Sequence, residues 1–125
     1  FNTWCGDTAR MLIFGAIGQE ILNNDLVSQV ARVGEYLFAK LEALQVQYPD
    51  SFKNLRGKGR GTFIAWDLPT GELREKLLKT LKANGCNVGG CAEKSVRLRP
   101  TLTFDEKHVD IFINALTKSV AQLNN

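Results

Sequence analysis

The stretch "SVRLRPTLTF", residues 95–104, decides how the chain is read. Val96, Leu98 and Leu102 suit a buried strand. Side chains alternate faces along a strand, so the guanidinium groups of Arg97 and Arg99 leave it on one side. Two like charges in a short apolar segment cost free energy unless something anionic lies opposite. Arginine suits a carboxylate, because its planar fork donates two parallel hydrogen bonds. On spacing alone, a dicarboxylate ligand and a structural ion pair with a solvated neighbour are equally good readings.

Downstream, Thr103 and Glu106 have the T-x-x-E spacing of a capping box, which opens a helix. Its buried stripe is Val109, Phe112, Ile113, Leu116, Val120 and Leu123. Upstream, "CNVGGC" (86–91) reads as a short strand and a turn. Before it, Thr70 begins a helix with Leu73, Leu77, Leu78 and Leu81 inside and Gly85 at its C-terminal stop. "NLRGKGRGTFIAWDL" (54–68) supplies a strand at Phe63–Trp66, entered through a glycine-rich segment.

Further back, Leu26, Val30, Val33, Leu37, Leu41 and Leu44 form a second amphipathic stripe, capped by Asn24 or Asp25 and stopped by Pro49. Asp7 caps a first helix to about residue 23. Leu12, Ile13, Phe14, Ala16, Ile17, Ile21 and Leu22 cover nearly its whole circumference, so it expects contacts on several sides. Two helices, a strand, a helix, two short strands and a helix predict an α+β fold. It is an α/β sandwich with helices on one face of a small, mostly antiparallel sheet.

A chain of 125 residues, 44% hydrophobic and 23% charged, is sized and composed for one globular domain rather than disorder. A net charge of +3 suits small anions without arguing for nucleic acid or a membrane. No apolar run approaches the roughly 20 residues of a membrane span. The chain opens on Phe1 and its single methionine is Met11, so a processed chain or a piece of a longer one is expected. Cys5, Cys86 and Cys91 are an odd number, which fits a reducing compartment, the cytoplasm or alternatively the mitochondrial matrix. Cys86 and Cys91 lack the further ligands a metal loop needs, and no metal site is assigned.

"RGKGRG" (56–61) admits a phosphate cradle or a nucleic-acid contact. It lacks the ending of a P-loop, and the favoured reading is a strand entry where glycines permit close backbone approach. Asp67, Glu72, Glu93, Asp105 and Glu106 show no pairing that sequence certifies for acid–base work. His108 reads as a surface or satisfied residue, and no nucleophile–histidine set is present.

"FNTW-GD", "RGKGRGTF", "GCNVGGC" and "VRLRPTLTF", in this order and at these intervals, resemble the 4-aminobutyrate aminotransferases among the class III, pyridoxal-phosphate-dependent aminotransferases. The resemblance runs from Phe1 to the end and implies the small C-terminal domain (1–125) of a fold-type I enzyme, with 1–23 linking it to a large domain. It implies a homodimer that moves the amino group of 4-aminobutyrate to 2-oxoglutarate, giving succinate semialdehyde and glutamate. Small amino and 2-oxo acids would be the partners, with neither nucleic acid nor membrane.

By the same resemblance, Thr3 reaches the phosphate of the neighbouring subunit's pyridoxal phosphate and Phe1 lines that neighbouring pocket. Arg97 is the switching arginine. It pairs with a glutamate of the large domain while the 4-amino acid is bound, and it holds the α-carboxylate of glutamate or 2-oxoglutarate in turn. Gly90 and Cys91 border the substrate, and Arg99 supports. The Schiff-base lysine is expected upstream, so no catalytic residue is assigned here and the chain alone is expected to be inactive. The alternatives are another class III ω-aminotransferase, acting on β-alanine or ornithine, and more distantly a stand-alone nucleic-acid-binding module.

Overall fold

Four helices and four strands follow one another in the computed structural model, which describes residues 3–4 and 6–123. The helices are α1 (Thr8–Asn23), α2 (Leu26–Gln47), α3 (Gly71–Ala83) and α4 (Glu106–Leu123). The strands are β1 (Lys53–Arg56), β2 (Ile64–Asp67), β3 (Gly89–Cys91) and β4 (Ser95–Leu98). They form one antiparallel sheet in the order β1-β2-β4-β3. The expected α+β layer is therefore present, with one strand more than the sequence reading placed. β1 is that strand, a polar edge segment whose Leu55 alone packs on the core.

Period-2 alternation divides the sheet into two faces. Ile64 pairs with Leu98 and Trp66 with Val96, and all four are buried beneath the helices. α2 brings Val33, Leu37, Phe38, Leu41 and Leu44 to this core, α3 brings Leu77 and Leu81, and α4 brings Val109, Phe112, Leu116 and Val120. Phe52, just ahead of β1, stacks on Trp66 with ring centroids 5.3 Å apart. The alternate residues Ala65, Asp67, Ser95 and Arg97 form the opposite face.

Local chemistry sets the helix limits. The Asp7 carboxylate accepts from Arg10 N–H, and the Thr70 hydroxyl accepts from Leu73 N–H. Gly85 follows α3 at φ +88, a conformation only glycine adopts freely. α4 differs from expectation. The Asp105 carboxylate accepts from His108 N–H, while the Thr103 hydroxyl bonds that of Thr101 and Glu106 pairs with Arg32 of α2 at 3.0 Å. The cap thus lies two residues beyond the one that the T-x-x-E spacing suggested. His108 Nδ1 lies 2.6 Å from Asp105 Oδ1 and 3.2 Å from Asp105 N. The shorter approach to a carboxylate needs a proton on Nδ1, so we read the ring as the donor.

The glycine-rich segment closes the β1–β2 hairpin. Gly57 and Gly61 have φ values of +109 and +58, and the Gly61 backbone lies where a side chain on Gly34 of α2 would stand. Lys58 pairs with Glu42 at 3.0 Å and Arg56 with Asp67 at 3.0 Å, so the motif serves the fold, as the favoured reading had it. α1 stands apart. Its chief neighbour is α2, and none of its residues is buried, with Leu12 77% and Phe14 73% exposed.

Candidate functional site

β4 carries the arginines. Arg97, opposite Ala65 on one side and Gly89 on the other, projects from the open face of the sheet. Arg99 follows just past the strand end, its guanidinium 5.7 Å from the ring centroid of Phe63. Phe63 is exposed beside buried Ile64 and so falls on the same face as Ala65, which puts Arg99 on the side that Arg97 takes. Both also line one cleft of about 380 Å³. The floor of the cleft is apolar, built from Leu98 of β4, Leu37 of α2 and Phe112 of α4. No acidic side chain lines it, and among the described residues neither arginine has an ion-pair partner. Two free guanidinium groups over an apolar floor suit a small anion with an apolar body.

β3 borders this group. Gly89 lies beside Arg97, whose Nη2 would be 3.6 Å from a Cβ built there. Gly90 turns the other way, toward α3, where a Cβ would strike the Arg74 guanidinium. Arg74 pairs with Glu75 at 3.0 Å, and its buried Nε has no partner among the described residues. Cys91 is exposed opposite Ser95. Cys86 lines the cleft half-buried, and burial pushes its thiol above the usual range, which keeps it neutral and poorly nucleophilic. Arg97, Gly90 and Cys91 thus lie on adjacent strands, but neither Gly90 nor Cys91 is among the residues that line the cleft. Thr3 stands exposed ahead of α1 and is not among the cleft residues. Phe1 lies outside the described residues.

Sequence reasoning missed the polar network beside Arg97. Asp67, only 14% exposed, accepts from Ser95 Oγ at 2.6 Å, Arg56 Nη1 at 3.0 Å and Asn54 Nδ2 at 3.1 Å. Burial pulls its carboxyl upward, but those three hydrogen bonds and the Arg56 charge outweigh it and hold the group below the ordinary carboxylate value. The missing signal was β1 itself, since Arg56 reaches Asp67 only through the hairpin register. No three His, Cys, Asp or Glu side chains come together as a metal site among the described residues.

The donor set bears on what could bind. Apart from half-buried Lys40, whose ammonium lies 5.0 Å from the Tyr36 ring centroid, the lysines are exposed, and none lines the cleft. The cleft fits a carboxylate and offers no enclosed amine to a carbonyl cofactor. Among the described residues, no helix is long and apolar enough to cross a membrane.

The chain is 72% identical over 123 residues to a Saccharomyces cerevisiae protein named 4-aminobutyrate aminotransferase, a match covering 98% of this chain and 26% of that protein. It is 40% identical over 121 residues to a mouse protein named 4-aminobutyrate aminotransferase, mitochondrial, covering 97% of this chain and 24% of that protein. The chain therefore spans about a quarter of the length of the curated relatives it matches. Among solved structures, a lysine aminotransferase from M. tuberculosis superposes with a TM-score of 0.81 at 29% identity, covering 86% of this chain and 24% of that one. The family pattern described as Aminotransferase class-III matches residues 1–120, and the chain belongs to that family.

Proposed function

We propose that this chain is the small C-terminal domain of a pyridoxal-phosphate-dependent enzyme that transfers the amino group of 4-aminobutyrate to 2-oxoglutarate, giving succinate semialdehyde and glutamate. The observation that carries the reading is the Arg97 guanidinium on the open sheet face, without an ion-pair partner among the described residues, in a chain 72% identical to a named 4-aminobutyrate aminotransferase. Both 2-oxoglutarate and glutamate carry a carboxylate next to the reacting carbon. Arg97 can take that carboxylate in two parallel hydrogen bonds, which fixes the direction of the adjoining bond as well as the charge. While 4-aminobutyrate is bound, Arg97 would pair with a glutamate from outside this chain. The apolar floor beneath strengthens such a pair by keeping water from one side.

Pyridoxal phosphate, when bound, supplies the electron sink for the transfer. This chain's part toward it would be the exposed Thr3 hydroxyl, donating to the phosphate of the neighbouring subunit's cofactor in a homodimer. The lysine that holds the cofactor is assigned to the remainder of the protein, since the lysines here suit solvent. Phe1, Gly90 and Cys91 would border the substrate, with Gly90 kept small by Arg74 beneath it. α1, apolar and uncovered, would link to the large domain and pack there or on the partner subunit. Among the described residues Cys86 and Cys91 form no disulfide, which suits a reducing compartment. We place the protein in the cytoplasm, the mitochondrial matrix being the alternative to which the mouse relative's name points.

The test uses the full-length protein. Turnover of 4-aminobutyrate should exceed that of β-alanine and ornithine, and equal or better use of ornithine overturns the choice. Arg97→Gln should raise KM for 2-oxoglutarate by roughly 10- to 100-fold, the worth of charge-assisted hydrogen bonds, with a smaller change for 4-aminobutyrate. An unchanged KM for the oxo acid removes Arg97 from the role.

A further inference from the structure

Ala65 stands between two arginines on the open face. Across β2 it pairs with Arg56 of β1 on one side and with Arg97 of β4 on the other. Asp67 lies on the same face, two residues along β2, and so on the diagonal to both. Across antiparallel neighbours such a diagonal separates Cβ atoms by about 7 Å or slightly less, within the reach of an arginine. Either arginine could take the carboxylate, and only Arg56 does, at 3.0 Å.

The structure favours Arg56 by construction. β1 has a register shift between Lys53 and Arg56, and Asn54 within it has φ +51. A bulge of this kind re-aims the next side chain. Arg56 Nη1 is held by the Asn54 carbonyl at 2.9 Å, and Nη2 donates to Ser95 Oγ at 3.1 Å. Ser95 in turn donates to Asp67, which closes a three-membered polar ring. Arg97 leans the other way, over Gly89. An Asp67 without the Arg56 charge would keep its neutral donors Ser95 and Asn54 but stand beside Arg97 as an intramolecular anion, at an effective concentration on the order of millimolar. That matches or exceeds the substrate levels at which enzymes commonly operate, up to about 1 mM.

We infer that Arg56 is a positioning residue that keeps Arg97 available to a substrate carboxylate by holding Asp67, the carboxylate on the same sheet face that could otherwise capture it. The inference rests on the reading of Arg97 as the carboxylate-binding group. It makes the Arg56–Asp67 pair a determinant of affinity for the oxo acid rather than only a strut of the hairpin.

The experiment uses the full-length enzyme and glutarate, a dicarboxylate that cannot react, as the calorimetric probe beside steady-state kinetics. Arg56→Gln should weaken glutarate binding and raise KM for 2-oxoglutarate by about tenfold. KM for 4-aminobutyrate should stay within roughly twofold. Adding Asp67→Asn to Arg56→Gln should restore glutarate binding to within roughly twofold of wild type, because the competing anion is gone. Arg56→Lys, which keeps the charge, should stay within the same limits. Unchanged binding in Arg56→Gln, a double variant no better than the single, or a lysine variant as weak as the glutamine one each overturns the inference while leaving the functional reading intact. A wild-type enzyme that neither binds glutarate nor uses 2-oxoglutarate overturns both.

Discussion

Replacing Gly34 by alanine sets two effects of opposite sign against each other. Alanine is the better helix residue by about 1 kcal/mol, which taken alone would stabilise α2. A Cβ on Gly34, however, would stand 2.7 Å from Gly61 Cα and closer still to the Gly61 carbonyl group. Carbon atoms in contact settle at about 3.5–4.0 Å, so the hairpin would have to retreat by roughly an ångström. It has little room. Arg60 N–H donates to the Gly57 carbonyl, Phe63 N–H donates to the Arg60 carbonyl, and Thr62 is buried. Overpacking costs about 1–3 kcal/mol, and an obstacle made of backbone puts this case at the upper end. The net expectation is a loss of about 2 kcal/mol. In urea unfolding of this chain, followed by circular dichroism, the midpoint should fall by about 1 M. Gly15→Ala is the matched control, because a Cβ there meets nothing within 4 Å. It should add helical signal and leave the midpoint in place. A Gly34→Ala variant as stable as wild type would refute the close approach of α2 to the hairpin, and the reasoning with it.

Acid should weaken the fold through carboxylates held below their ordinary values. Asp67 is one, where hydrogen bonds and the Arg56 charge overcome burial, and Glu106 is another, lowered foremost by its hydrogen bond from Arg32. A depressed folded pKa means stability that is complete above the unfolded value, about 4, and lost as pH falls through the folded one. Thermal midpoints should therefore hold level from neutrality and drop below about pH 4, with part of the drop absent in Asp67→Asn; a midpoint that rises on acidification contradicts this. The bare face of α1 should make the chain self-associate when cut from its surroundings, since Met11, Leu12, Ile13, Phe14 and Ile17 are all exposed. Sedimentation velocity should show mass growing with concentration, and Phe14→Ser with Ile17→Ser should suppress it; a monomer at every concentration speaks against the argument.

The helical layer was legible because its stripes are long and regular. Leu26 to Leu44 and Val109 to Val120 meet the core as their spacing requires, and Asp7, Thr70 and Gly85 mark helix limits by local chemistry alone. β1 was not legible. Lys53, Asn54 and Arg56 are polar, the strand is bulged, and Leu55 is a single apolar residue without alternation to announce it. The start of α4 was misplaced because Thr103–Glu106 and Asp105–His108 both have cap spacing, and only packing chooses between them. At the site, the shared side of Arg97 and Arg99 followed from the strand period. Their lack of an acidic partner did not, because it depends on the register that places Asp67 against Ser95 and within reach of Arg56. Residue type announces a charge, and register decides whether that charge is already spent.

α1 hangs from α2 through Asp25, whose φ of 45 and ψ of 45 place it in the left-handed region, with no side-chain bond to the α2 backbone. A helix of 16 residues without buried side chains is held mainly by its own hydrogen bonds and a thin contact with α2, and little tertiary packing adds to it. Its amide protons should exchange through local fraying, on a free-energy scale separate from that of the sheet and the other three helices. The molecule therefore has two tiers of cooperativity within one short chain. The lower tier gains protection only when another surface closes over it, so hydrogen exchange along α1 reports assembly and not folding.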